Sequence, residues 1–292
     1  MSFVTSLGAR LARSSRDEMV VAVGLGRAPR SIQAAAGLLF ERASQPLGRV
    51  LERFDHRIGE AGLALAAAET LAELGADVRA TGEVPKRGAL LVCSNHPGAY
   101  DALALLACMQ RSDVAIIAHD RGFLRMLPAL EPHLVFVPEH RGQGRTTGLR
   151  RALRHLRAGG ALLHFPAGAI EPDPAFAPSG ELLGTWQTGT GMLVRSLGHA
   201  SGQVVTAIVS GVHSPRAKSL FVTRVAEHFG ITTLAPLLQV AVPAFHDVSA
   251  RVTFSEARAP STSSTESDRE ITSALRRQAL TLAKQSLARA LV

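Results

Sequence analysis

Three features of this sequence predict an α/β protein: a single mixed, largely parallel sheet flanked by helices, with an N-terminal helical extension and a C-terminal helix. From residue 78 onward, short apolar runs alternate with amphipathic segments of helical period. Before that point the apolar residues recur at helical spacing throughout. After a Ser/Thr-rich stretch, a capped amphipathic segment closes the chain. The chain divides accordingly into a helical extension (1–77), an α/β domain (78–260) and a linker with its helix (261–292).

In the extension, Leu47, Val50, Leu51 and Phe54 mark one helical face, and the Ala-rich run Ala61–Leu74 continues it until Gly75. Strands are expected at Ala89–Ser94, Val114–Ala118, Leu134–Pro138, Ala161–Phe165 and Val204–Ser210, with a late one at Arg251–Ser255. Helices are expected between them at Ala99–Met109, Thr146–Ala158 and Gln187–Leu197. In the final helix, Ser267 and Glu270 have capping-box spacing, and Ile271, Leu275 and Leu282 form its apolar stripe.

Composition narrows the function. With 46% apolar residues and 292 positions the chain buries a core without staples, and two cysteines, Cys93 and Cys108, build neither a disulfide framework nor a four-cysteine zinc site. A reducing compartment follows. The net charge of +8 points to an anionic partner such as phosphate or lipid headgroups. The charge is nearly all arginine in an alanine-rich chain, the pattern of a GC-rich genome, so it is weak evidence of a phosphate site. Nucleic acid is not the expected partner: only the charge suggests it, and aromatics make up only 4%, too few for a base-stacking platform on single strands. The longest apolar runs, Ala61–Ala76 and Leu234–Val242, are interrupted by Glu69 and Glu73 or by Pro236, so no membrane span is expected.

The segment richest in chemistry is Leu90-Leu-Val-Cys-Ser-Asn-His-Pro-Gly-Ala-Tyr-Asp101. A buried strand breaks at Pro97-Gly98 and enters a helix, and open α/β sheets place reactive groups at such strand ends. His96 falls in the turn and Asp101 in the first helical turn, where the dipole favours its anion. A carboxylate on one imidazole nitrogen sets the tautomer and leaves the other nitrogen as a base. Equally, Asp101 serves as a helix cap and His96 as a turn residue, and spacing does not separate the two readings.

Other motifs are more easily placed. Leu134–Arg141 is a strand ending in a cationic fork, followed by a helix with Arg145, Arg150, Arg151, Arg154 and Arg157 and no acidic residue, which suits either phosphate or a solvated face. The glycines at 142, 144 and 148 lack G-x-G-x-x-G spacing, and Tyr100 lacks a lysine four residues on, so nicotinamide binding is discarded. No G-x-S-x-G occurs. The His119-Asp120 and His246-Asp247 doublets lack the further ligands of metal phosphohydrolases. Ala161–Asp173 is a strand running into a Pro166-x-Gly168 turn, whose N–H groups are able to point into a site, and Val204–Gly211 is a strand ending in Ser-Gly.

In their order and spacing, these four segments resemble the glycerophospholipid acyltransferase family, the 1-acyl-glycerol-3-phosphate acyltransferases and relatives. Asn95-His96 to Asp101 is similar to the family's His-x4-Asp block, Val135–Arg141 to its second block, Leu162–Gly168 to its Phe-Pro-Glu-Gly block, and Val205–Gly211 to the fourth. The likeness covers roughly residues 89 to 211. It implies an acyltransferase that moves a fatty acyl group from acyl-CoA or acyl carrier protein to a lipid acceptor, with His96 and Asp101 catalytic. It implies Arg141, Pro166, Gly168 and Glu171 as substrate-binding, no bound cofactor or metal, and an oxyanion donor near Gly98 or Gly168. A cytoplasmic protein, peripheral on an anionic surface at the inner face of the membrane, is expected. Gly98 stands where the family commonly has serine, Ala167 replaces the third block's glutamate, and Ala169-Ile170 replace its Thr-Arg. An amine or other non-glycerophosphate acceptor, or a catalytically silent lipid-binding relative, are the alternatives.

Overall fold

The computed structural model describes residues 6–22, 24–98, 100–138, 145–177, 181–198, 201–228, 234–260 and 266–290. Helices α1 (Leu7–Ala22) and α2 (Arg30–Ala61) pack against each other, and α3 (Leu63–Glu73) follows. The Ala-rich run is not continuous with α2, because Gly62 separates the two helices. At the end of α3, Gly75 has φ +66°, Ala76 N donates to Leu71 O and Gly75 N to Ala72 O. This paired closure needs a left-handed residue, which glycine supplies without strain.

The α/β part runs β1 (Asp77–Thr81), β2 (Leu90–Ser94), α4 (Asp101–Met109), β3 (Val114–His119), β4 (Leu134–Val137), α5 (Arg145–Arg157), β5 (Ala161–His164), α6 (Gly189–Gly198) and β6 (Gln203–Ser210). Short helices α7 (Pro215–Ser219), α8 (Phe221–His228) and α9 (Leu234–Ala241) lead to β7 (Ser249–Phe254), and α10 (Asp268–Ala290) ends the chain. The seven strands form one sheet in the order β1-β7-β6-β2-β5-β3-β4. All neighbours are parallel except β6 and β7, which are antiparallel. The mixed, largely parallel sheet expected from the sequence is thus present, with β1 added at its edge. β1 carries no apolar run, and all of it but Val78 is exposed, so it lacks the signal of a buried strand.

Side chains alternate across the sheet. Leu90 and Val92 of β2 face α3 and α4, with Leu71, Ala104 and Leu105 beside them. Leu91 and Cys93 face the other way, onto Leu156 of α5, Leu193 and Leu197 of α6, and Ile271 and Leu275 of α10. The cap of α10 forms as its spacing predicts: Glu270 Oε2 accepts from Ser267 N at 2.7 Å, and Glu270 N donates to Ser267 Oγ at 3.3 Å.

This topology creates a crevice. From β2 the chain passes through α4 on one face to reach β3, beyond β5. From β5 it passes through α6 on the opposite face to reach β6, beyond β2. The adjacent strands β2 and β5 therefore send their crossover helices to opposite faces, and the space above their carboxyl ends is where open α/β sheets bind ligands. Among the described residues no helix is long and apolar enough to cross a membrane.

Candidate active site

His96 and Phe165 flank that crevice, one just past β2 and the other just past β5. Their rings stack at 4.3 Å between centroids and 29° between planes. Asn95, fully buried, extends the ladder one residue beyond β2: its side chain accepts from Val209 N and donates to Val209 O of β6, both at 2.8 Å. Asn95 thereby anchors the residue before His96. The sequence reading gave it no such role, since an amide imitating a backbone pair has no signature in spacing.

Past Pro97 the chain turns at Gly98, whose φ of +87° is open to glycine, and enters α4 at Asp101. Asp101 is 2% exposed and makes three contacts. Its Oδ2 lies 2.7 Å from His96 Nδ1 and accepts from Gly98 N at 2.8 Å, while Oδ1 accepts from Ala102 N at 2.6 Å. The carboxylate thus meets backbone donors on either side of the start of α4 and contacts the imidazole as well, although the N-cap position itself is Tyr100 rather than Asp101. With Nδ1 carrying the proton toward Asp101, Nε2 is left as the acceptor. Burial works against charge on His96, yet the charge and hydrogen bond of Asp101, with the charge of Glu171 behind them, hold its pKa above the ordinary histidine value.

The turn after β5 closes under this pair. Pro166 is buried and its carbonyl accepts from Gln187 N at 2.9 Å, and Gly168 N donates to Phe165 O at 3.1 Å. An oxyanion donor was expected near Gly98 or Gly168, and the N–H groups of those two glycines are already engaged, Gly98 N by Asp101 and Gly168 N by Phe165 O. An oxyanion donor in this region would therefore be a neighbouring N–H rather than that of either glycine. Glu171 departs from its expected role as well. It is 4% exposed, and its two oxygens accept from His96 N at 3.0 Å and Gly184 N at 2.7 Å, so its carboxylate meets backbone rather than an incoming ligand.

Arg141 lies outside the described residues. On α5, which follows it, Ala152 and Leu156 are buried while Arg150, Arg151, Arg154 and Arg157 are exposed, so these four arginines form a solvated face. The His-Asp doublets serve separate local pairs: Asp120 binds Arg125, and Asp247 binds Ser214 and Arg216. Among the described residues no three His, Cys, Asp or Glu side chains group as metal ligands would. His164 on β5 is within 3.0 Å of Thr190 Oγ1 through Nε2, and burial drives its pKa down to about 4.

Comparison with known proteins adds a family. Residues 76–210 match the acyltransferase family. None of the curated proteins matches the sequence. Among solved structures, the crystal structure of the 1-acyl-sn-glycerophosphate (LPA) acyltransferase PlsC from Thermotoga maritima is similar at 15% identity, over 93% of this chain and 96% of that one, with a TM-score of 0.46.

Proposed function

Building on the match of residues 76–210 to the acyltransferase family, we propose that this protein moves a fatty acyl group from a thioester to the hydroxyl of a lysoglycerophospholipid-type acceptor. The observation that supports the chemistry is the 2.7 Å contact between His96 Nδ1 and Asp101 Oδ2 at the crevice above β2 and β5. Neutral His96 takes the acceptor proton at Nε2 as the hydroxyl oxygen attacks the thioester carbonyl. The tetrahedral intermediate collapses with cleavage of the C–S bond, and the imidazolium returns its proton to the departing thiolate. Asp101 holds the ring and stabilises the imidazolium, and such general-base assistance contributes about 10²–10⁴-fold.

The donor, acyl-CoA or acyl carrier protein, is a co-substrate, and the mechanism calls on no resident cofactor or metal. Arg141, at the end of the second block, holds a phosphate through its forked donors. The acceptor lies in a lipid surface, which the helical extension (1–77) meets with the exposed Arg10 and Arg13 of α1 at the inner face of the membrane. The catalytically silent alternative has no use for an oriented His–Asp pair. The second reading, an acceptor without glycerophosphate, draws on Ala167, which offers no polar side chain where the third block has one. The test is to incubate the purified chain with radiolabelled acyl-CoA or acyl carrier protein and a panel of lysolipids and amine-bearing lipids. Labelled lysolipid product that disappears in His96→Ala supports the proposal. Transfer to amines alone replaces the acceptor, and no transfer to any acceptor overturns the reading.

A further inference from the structure

We propose that Glu171 is a positioning residue for His96, its carboxylate bridging the main-chain N–H groups of His96 and Gly184 so that the histidine is locked to the turn after β5. The lock has two arms. Glu171 N donates to His96 O at 2.7 Å, and His96 N donates to Glu171 Oε2 at 3.0 Å, so residues 96 and 171 exchange a pair of bonds. The second oxygen accepts from Gly184 N at 2.7 Å, tying in the segment before α6.

Asp173, two residues on and also 4% exposed, binds the far side. Its oxygens accept from Gly211 N at 2.8 Å, Val212 N at 2.9 Å and His213 N at 3.3 Å, just past β6. Glu171-Pro172-Asp173 is thus a brace of two buried carboxylates joining the loops after β2 and β6 to the loop after β5. His96 needs such a brace. Beyond β2 its own backbone enters a turn at Pro97-Gly98, and a displacement of about 1 Å at a reacting group is enough to cost about 10²-fold in rate.

The charged groups acting on the imidazole are Asp101, from the start of α4, and Glu171, from the turn after β5; Phe165, at the end of β5, is neutral. Both carboxylates raise the His96 pKa, so removing the charge of Glu171 lowers it. Burial raises the pKa of Glu171 itself, with the N–H groups of Gly184 and His96 pulling the other way.

The catalytic consequence rests on the reading of His96 as the general base, whereas its titration does not, and the experiment separates the two. The His96 imidazole is titrated by NMR in the full chain, unmodified and as Glu171→Gln, Glu171→Asp and Asp173→Asn, beside acyl-transfer kinetics. Glu171→Gln lowers the His96 pKa and the acid limb of kcat/KM together. Asp173→Asn, which loosens the other half of the brace, leaves that titration where it was. Glu171→Asp keeps the charge but shortens the reach, so kcat falls by about 10- to 100-fold while the His96 pKa stays near that of the unmodified protein. An unchanged His96 titration in folded Glu171→Gln, or unmodified kcat in Glu171→Asp, overturns the assignment. If Glu171→Gln does not fold, Glu171→Asp decides alone. If the unmodified protein transfers no acyl group, the acyltransfer reading fails and the titration still decides whether Glu171 acts on His96.

Discussion

Asp101 Oδ2 holds two donors at once, His96 Nδ1 at 2.7 Å and Gly98 N at 2.8 Å, so the residue that orients the imidazole also shapes the turn that delivers it. Any change at Asp101 therefore disturbs both the tautomer of the imidazole and the backbone beneath it. His96 is the cleaner target for testing the chemistry, because truncating its side chain, which is 29% exposed, leaves the bonds from Asp101 to Gly98 N and Ala102 N in place.

His96→Ala is expected to lower kcat by about 10²–10⁴-fold, the usual worth of a general base. Its far-UV circular dichroism is expected to match that of the unmodified protein. Acyl transfer measured with either thioester donor checks this, and retained turnover in the variant contradicts the role.

The pH profile follows from the raised pKa of His96. With the neutral imidazole as the proposed base, kcat/KM is expected to rise with pH along a limb centred above 6.5, the ordinary histidine value. For stability the sign is opposite. The folded protein binds the imidazolium more tightly than the unfolded chain does, so this contribution is complete below about 6.5 and is lost as pH rises through the folded value. Urea unfolding across that window, compared between the unmodified protein and His96→Gln, isolates the slope.

Gly98→Ala is expected to destabilise the protein and slow it. At φ +87° a side chain is strained, by roughly 1–2 kcal/mol for an L residue in the left-handed region. A Cβ there also lies 3.0 Å from Ile170 Cδ1. Denaturant midpoints distinguish the two causes: Gly98→Ala combined with Ile170→Ala relieves the contact but keeps the strain, so recovery is expected to be incomplete. Complete recovery would assign the whole effect to crowding.

Arginines around the second block are expected to differ sharply. If Arg141 binds phosphate, Arg141→Ala raises KM for the phosphorylated substrate far more than Arg154→Ala, which removes an exposed charge of α5. Arg141→Lys recovers only part of the loss, since a point charge replaces a fork. Small, equal effects at both positions would show that the basic segment is a solvated face throughout.

Acceptor choice is expected to reflect Ala167. A pocket that pairs a substrate hydroxyl discriminates by as much as ~10⁴–10⁵ when the pair is present, and alanine supplies none. Lysophosphatidic acid is therefore expected to be a poor acceptor, weaker than amine-bearing lipids. Competition between labelled acceptors measures the ratio, and a clear preference for lysophosphatidic acid would remove the meaning assigned to Ala167.

Legibility in the sequence followed burial. Strands buried on both faces, such as Leu90–Ser94 and Gln203–Ser210, announce themselves as continuous apolar runs. The edge strand Asp77–Thr81 does not, because backbone pairing with β7 holds it and all its side chains but that of Val78 face water. The short helices α7, α8 and α9 also escaped the sequence reading, since segments of five to eight residues span too few turns for a periodic signal to emerge.

His96 and Asp101 were legible for a local reason: they lie on one strand–turn–helix unit, and their meeting needs only the turn at Pro97-Gly98. The sequence by itself thus determined the sheet's buried strands, the capped final helix and the placing of His96 and Asp101 on one strand–turn–helix unit, all products of short-range spacing and burial pattern, while spacing left open whether Asp101 orients the imidazole or only caps α4. Tertiary structure alone decided what surrounds that pair. Phe165 reaches His96, Asn95 pairs with Val209, and Glu171 clamps His96 to Gly184 only because β2, β5 and β6 lie side by side. Such contacts join residues far apart in the chain, and a carboxylate that accepts backbone N–H groups carries the same letter as one left open to bind a substrate.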